Sequence, residues 1–346
     1  VSSYLRVQPN SSSTVKSHCV PADLGGCALD AFVRAAFELS WGRARDLVRR
    51  GKVAVDGRTI TDPVRRVKAG ATVTLDLAAR SAKNVASDLP EGALVHIDPH
   101  VVVVDKPSGI ATVPFDPEGM GPSIARRARA PGDDVTLDER VRVALARRER
   151  RPGPPPELGV VHRLDKETSG LLVFTRTWAA KKALMSAFRA HTVHRRYLAV
   201  VHGKVKSGTI RTHFVENRGD GLRGSIEHRG GRKKPVGSEK GQLAVTHVEV
   251  VEQLDGGAVG RCTLVSCQLE TGRTHQIRIH LSEEGHPVVG DRVYSRGYQG
   301  TLVPAPRLML HAAELGFVHP ATESEMHWSS DVPRDMSELI ESLRSR

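Results

Sequence analysis

The hydrophobic period of this 346-residue chain changes between residues 80 and 93, and that break divides it into two differently built units. Before the break, Leu29, Phe32, Val33, Ala36 and Phe37 recur at helical spacing and predict an amphipathic helix. Ser40 is placed to N-cap a second helix that Gly51 ends. Val53-Ala54-Val55, an Asp56-Gly57 turn and Arg58-Thr59-Ile60 read as a hairpin, with a last strand over residues 71–77. After the break, strands alternate with helices. Residues 94–97, 101–104, 171–175, 196–201, 244–252 and 261–269 read as strands, and 178–190 as a helix. Thr274 is placed to cap a further helix that Gly285 ends.

The expected fold class is α+β: a small αα-β-hairpin domain, then a mixed, largely antiparallel sheet with flanking helices and a central cleft. The expected divisions are a disordered lead-in over 1–24, the small domain over 25–80 and a polar linker over 81–90. A large domain over 91–330 and a C-terminal helix or tail over 331–346 follow. Residues 115–158 read as a surface insertion whose middle, 138–150, forms a basic helix, and 218–241 as a mobile basic loop.

Charge narrows the partner. Lys and Arg total 51 against 39 Asp and Glu, a net +12, which suits a polyanion because each neutralised phosphate releases counterions. Residues 28–80 carry eleven of the basic groups against six acidic ones. Arg43, Arg45, Arg49 and Arg50 lie on one short helix, with Lys52 just beyond. That concentration points to nucleic acid, against the plainer reading of a solvated basic face. The cysteines, Cys19, Cys27, Cys262 and Cys267, form no CxxC pair and read as packing residues in a reducing, cytoplasmic setting. No apolar run approaches the ~20 residues of a membrane span.

The stretch Val161-His-Arg-Leu-Asp-Lys-Glu-Thr-Ser-Gly-Leu-Leu-Val-Phe174 sets one acidic group, Asp165, in a polar loop before a buried strand. A lone loop aspartate is ordinarily a turn former. The full string, however, resembles the HRLDxxTSG signature of the RluA-like pseudouridine synthases. Further segments resemble the same family in the same order: 102–109, 195–203 with Tyr197, 269–280 continuing through 285–294, and 310–320. The string LSWGRARDLVRRGKVAVDGRTITDPVRRVKAGATVTL resembles the alpha-L RNA-binding motif of ribosomal small-subunit protein four. Three positions depart from the pattern: Arg195 stands where the family usually has Lys, Ser295 where it has Gly, and Pro114-Phe115 where it has His.

The resemblance implies a cofactor-free isomerisation in which the uracil N1–C1′ bond breaks, the base turns and C5–C1′ forms. Asp165 is then the essential carboxylate, attacking C1′ or abstracting a ribose proton toward a glycal. Arg278 is the expected guanidinium partner that favours its ionised form, with Arg273 as competitor. Tyr197 is expected against the uracil face. Because the uridine must leave its stack, Arg163 is placed to fill the gap. His162, Arg273, Arg43, Arg45, Arg49 and Lys52 complete the expected RNA contacts. The implied partner is structured RNA, large-subunit ribosomal RNA first and tRNA second, bound by a monomer without a membrane. Two rivals are a non-catalytic RNA-binding protein, which needs no Asp165–Tyr197–Arg278 trio, and a metal-dependent hydrolase. For the second, His162, His275, His280, His286 and His311 offer no ligand constellation; His275 and His280 are five apart, so no metal is expected.

Overall fold

The computed structural model describes residues 15–79, 89–114, 135–150, 152–218, 220–228, 241–257 and 260–344. The linker over 81–88, Phe115 with the 116–134 part of the expected insertion, and the 229–240 core of the basic loop lie outside the described residues.

In the N-terminal unit, helices α1 (Leu29–Ala36) and α2 (Trp41–Arg49) accompany strands β1 (Val15–Cys19), β2 (Val53–Val55), β3 (Arg58–Thr59) and β4 (Thr72–Asp76). The strands pair in the order β1-β4-β2-β3. Ser40 caps α2, its hydroxyl accepting from the Arg43 amide at 3.3 Å. Asp56 and Gly57 both take positive φ, 49° and 74°, the backbone a two-residue hairpin turn requires. Leu29, Phe32 and Val33 from α1 meet Leu47 and Val48 from α2 over Val53 and Val73 in one closed core. The expected disorder over 1–24 is corrected for residues 15–24. Strand β1 pairs antiparallel with β4, whose other edge is taken by β2, so backbone groups that would be left open find partners. Every β1 side chain is exposed, so no hydrophobic period could signal it.

Among the described residues the second unit is built on eleven strands. These are β5 (Leu94–Ile97), β6 (Val101–Lys106), β7 (Gly159–Val160), β8 (Ser169–Thr175), β9 (His194–His202), β10 (Gly208–Val215), β11 (Gly224–Ser225), β12 (Gln242–Asp255), β13 (Arg261–Leu269), β14 (Leu310–Val318) and β15 (Glu325–Ser329). The main order is β11-β10-β12-β13-β9-β14-β8-β6-β5, with β7 on β8 and β15 on β14. Only β14 and β8 run parallel among the described pairs.

Among the described residues the helices of this unit are α3 (Leu137–Arg148), α4 (Trp178–Arg189), α5 (Gln276–Glu283) and α6 (Arg334–Arg344). Val102, Val104, Leu172 and Phe174 pack with α3 residues Leu137, Val141 and Leu145, whereas Val101, Val103, Leu171 and Val173 pack with Leu184 of α4. Strands β6 and β8 are therefore buried on both faces, which is why both read as unbroken apolar runs rather than alternation. A capping box of Thr136 and Glu139 starts α3.

The expected division at residue 330 is corrected. Met336, Ile340 and Leu343 of α6 enter the main core, and Arg307 grips Asp335 through two hydrogen bonds of 2.6 and 2.7 Å. A helix with that buried face belongs to the body it covers.

Strand β14 lies between β9 and β8, and Ala312 on it pairs with both Tyr197 and Gly170. Gly170 has φ +109°, and a Cβ there would come 2.2 Å from the Ala312 carbonyl oxygen. That close approach explains the glycine closing the Thr-Ser-Gly string.

Candidate active site

Asp165 stands in the loop between β7 and β8, clamped by residues at and after the end of β6. Lys106, fully buried, donates to the carbonyls of Pro107, Ile110 and Lys166 at 3.0, 2.9 and 3.0 Å. Burial pulls its pKa down to about 7, with the charges of Asp165 and Glu167 acting in the other direction. Thr112 donates to the Leu164 carbonyl at 2.7 Å and accepts from the Leu164 amide at 3.1 Å, and Ser108 donates to the Glu167 carbonyl at 2.7 Å. Backbone positions on both sides of Asp165 are thereby held by a neighbouring strand end, leaving little freedom at the carboxylate.

Helix α5 supplies the partner. Arg278 donates one nitrogen to Asp165 at 3.1 Å, and two others to Asp291 at 2.7 and 3.0 Å. Asp291 is buried and also accepts from the amides of Val293 and Tyr294 at 2.8 and 3.0 Å. Burial opposes charge on both partners, but their paired hydrogen bonds overcome it: Arg278 is raised and Asp291 lowered from the ordinary values. The guanidinium also lies 5.0 Å from the centre of the Tyr294 ring. His275 stands 3.8 Å from Asp165 and turns its Nδ1 to the Tyr294 hydroxyl at 2.9 Å; burial depresses its pKa.

Helix α5 does not start as expected. Thr274 does not cap it; His275 occupies the N-cap in a left-handed conformation, φ 59°. The entry is stabilised instead by Gln276. Its amide oxygen accepts from the Arg273 amide and the Thr271 hydroxyl at 2.9 and 2.8 Å, while its nitrogen donates to the Val245 carbonyl at 2.9 Å. A buried glutamine with its amide spent this way does the work of a cap.

A cleft of about 490 Å³ opens over Asp165, lined also by His162, Arg163, Tyr197 and Arg273. Arg163 is exposed, while Tyr197 is buried, which raises its pKa. His162 accepts the Val173 amide at 3.0 Å through Nε2 and stacks on Phe188, and burial lowers its pKa to about 3, so it is a neutral packing group at the cleft wall. Arg273 points its Nε to the Leu243 carbonyl at 3.0 Å, and Arg278 alone of the two meets Asp165.

In the N-terminal unit the basic residues divide. Arg45 is tied to the buried Asp30 at 2.7 Å, and Lys52 to the carbonyls of Leu77 and Ala79. Arg43 is about half exposed and 3.6 Å from Asp46; the side chain of Arg49 lies outside the described residues. Cys262 and Cys267 are buried, and burial pushes their thiols up to about 11 and about 12, whereas Cys19 is exposed on β1.

Sequence reading missed Lys106, Asp291 and His275 as members of the site. Asp291 had a signal, an aspartate directly after Gly290 in the segment already matched, but no pattern says that it faces Arg278. Among the described residues one group converges as metal ligands could: His194, Glu314 and His327, where Glu314 is already bound by Arg196. None of the five histidines weighed earlier belongs to it.

Comparison with known proteins follows the same division of the chain. A family profile described as RNA pseudouridylate synthase matches residues 100–283, and one described as S4 domain matches residues 29–73. The chain is 33% identical to the ribosomal large subunit pseudouridine synthase D of Xanthomonas campestris pv. campestris, over 96% of this chain and 93% of that one. It is also 33% identical to the protein of the same name in Pseudomonas aeruginosa, over 94% of each. The structure of human RNA pseudouridylate synthase domain containing 4 aligns with a TM-score of 0.53 at 23% identity, covering 73% of this chain and 93% of that one, a likeness of fold.

Proposed function

The chain belongs to the RNA pseudouridylate synthase family and carries an S4 domain ahead of the catalytic fold, and from this we propose that it converts uridine to pseudouridine in structured RNA, foremost large-subunit ribosomal RNA. The observation that carries this reading is Asp165, held in the His-Arg-Leu-Asp loop at the edge of a cleft and paired with Arg278 at 3.1 Å. An ionised carboxylate beside a ribose C1′ can take that carbon as a nucleophile or take its neighbouring proton as a base.

Tyr197 at the cleft wall offers a ring face to the base, and exposed Arg163 at its mouth is placed to occupy the stack the uridine leaves. The basic N-terminal unit supplies sequence-independent phosphate contact. One chain holds both units and the whole Asp165–Tyr197–Arg278 set, so the acting form we propose is a monomer, working in the cytoplasm. No helix among the described residues is long and apolar enough to cross a membrane.

Mapping of pseudouridines in ribosomal RNA and tRNA from cells with and without the protein tests the reading. Loss of one or a few ribosomal sites is expected. Loss confined to tRNA would move the substrate, and no loss anywhere would end the proposal.

A further inference from the structure

Arg195 is 6% exposed, yet among the described residues no carboxylate pairs with it. One terminal nitrogen reaches the carbonyls of Leu269 and Glu270 at 3.4 and 3.0 Å, the guanidinium lies 5.4 Å from the centre of the Phe188 ring, and its buried Nε has no partner. Burial lowers its pKa from the ordinary arginine value. A buried cation without a counter-ion is costly and is retained when something else repays it. Asp165 does not fill that need, because its pairing is with Arg278.

Position says what could. Arg195 and Tyr197 are two apart on β9, so both side chains stand on the same, buried face of the strand. Both line the cleft that holds Asp165. If Tyr197 takes the ring face of the uracil, Arg195 borders the same base.

The chemistry, resting on the pseudouridine synthase reading above, moves a charge to that place. The N1–C1′ bond breaks and its electron pair passes to N1 and over the ring to O2 and O4. The cation left at C1′ is met either by the Asp165 carboxylate, as an ester, or by loss of the 2′ proton to that carboxylate. In both routes one negative charge leaves Asp165 and appears on the base. C5 then bonds to C1′ as the Asp165 ester bond breaks, or as Asp165 returns its proton to C2′, which restores the carboxylate. The C5 proton departs to solvent while N1 takes one up. Arg278 loses one of its two carboxylate partners during the first step and keeps Asp291, whereas a counter-ion-free cation beside the base gains its first.

We propose that Arg195 is a catalytic residue that stabilises the uracil anion released at the cleft floor. Donors aimed at charge that exists only in the transition state act in this way, in a site with little water to screen them.

The test is single-turnover kinetics of the full chain on two large-subunit ribosomal RNA transcripts, one made with uridine and one with 5-fluorouridine. Appearance of the C-linked nucleoside is read by chromatography with fragmentation mass spectrometry, since pseudouridine has the mass of uridine but a glycosidic bond that resists cleavage. The fluorinated base has no C5 proton to release, keeps its fluorine and is read as the C-linked product with water added at C6. Fluorine withdraws electrons and makes the departing base a better anion, so it needs less help. Arg195→Met should be slower by about a hundredfold on uridine, the size of a lost oxyanion donor, and by about tenfold on the fluorinated RNA. RNA affinity should be unchanged, and Arg195→Lys should recover most of the rate by keeping the charge. An equal loss on both transcripts, a loss seen in affinity, or a lysine variant as slow as the methionine one would overturn the proposal while leaving the isomerase reading intact. A wild-type chain that forms no C-linked nucleoside on either transcript would overturn both.

Discussion

Asp291 grips Arg278 with both carboxylate oxygens, at 2.7 and 3.0 Å, from the side away from Asp165. The guanidinium is planar, so a partner that fixes two of its nitrogens also fixes where the third one points. Arg278→Met should lower turnover by about a hundredfold or more, the scale of a lost charged partner in a reacting site, with Arg278→Lys milder. Asp291→Asn should lower turnover by about tenfold or more without touching substrate, as the loss of an orienting group does. Tritium release from C5-labelled RNA measures each; Arg273→Met proving as damaging as Arg278→Met would move the pairing role to Arg273.

Asp165→Asn keeps the side chain's volume and removes its charge. Tritium release should vanish, with the melting temperature and RNA affinity close to the parent's. Near-normal release would remove Asp165 from the chemistry.

Removing residues 1–80 should weaken RNA binding and flatten its dependence on salt, because each lost phosphate contact lowers the slope. Arg43→Glu should do the same in part, while Arg45 and Lys52, tied to internal partners, should matter more to folding than to binding. Filter binding across a salt series reads this; parallel slopes for the full and shortened chains would exclude the unit from RNA contact.

Gly170→Ala should cost on the order of 2 kcal/mol or more, since the residue needs φ +109° and its new Cβ would meet the Ala312 backbone. Denaturant unfolding checks it. A variant as stable as the parent would show that β8 and β14 can separate.

Burial holds His280 near pKa 4 and His162 near 3, so both are neutral in the folded chain at pH 7. Unfolded imidazoles protonate near 6.5, so below that pH the unfolded state binds more protons and stability falls. The contribution of His280 is complete above about pH 6.5 and lost as pH drops toward 4, up to about 3 kcal/mol. Denaturation midpoints from pH 7 to 4 should therefore fall less steeply for His280→Asn than for the parent.

Much of this fold was legible because its signals were local. Ser40 announced its helix, Asp56-Gly57 its turn, and the two-sided runs at β6 and β8 their burial. The misses were those in which distant residues decide. Strand β1 exists because an edge of β4 was open, and Thr274 loses the cap because Gln276 finds the Val245 carbonyl 31 positions away. The site divides in the same way. Asp165, Tyr197 and Arg278 were singled out by motif resemblance, and the structure pairs Asp165 with Arg278. Asp291 and Arg195 acquire meaning only from what stands, or does not stand, beside their charges.

Strand β14 separates the strand that follows Asp165 from the strand that carries Tyr197, and Ser169 on β8 meets His311 on β14 across 142 positions of sequence. A growing chain therefore possesses Asp165 and Tyr197 long before it can bring them together. At about 5–20 residues per second, synthesis leaves several seconds in which both are present and the sheet is open between them. Assembly of the cleft is thus a late event in the life of each molecule, and a fragment ending before residue 310 contains the named residues of the trio without the strand that joins them.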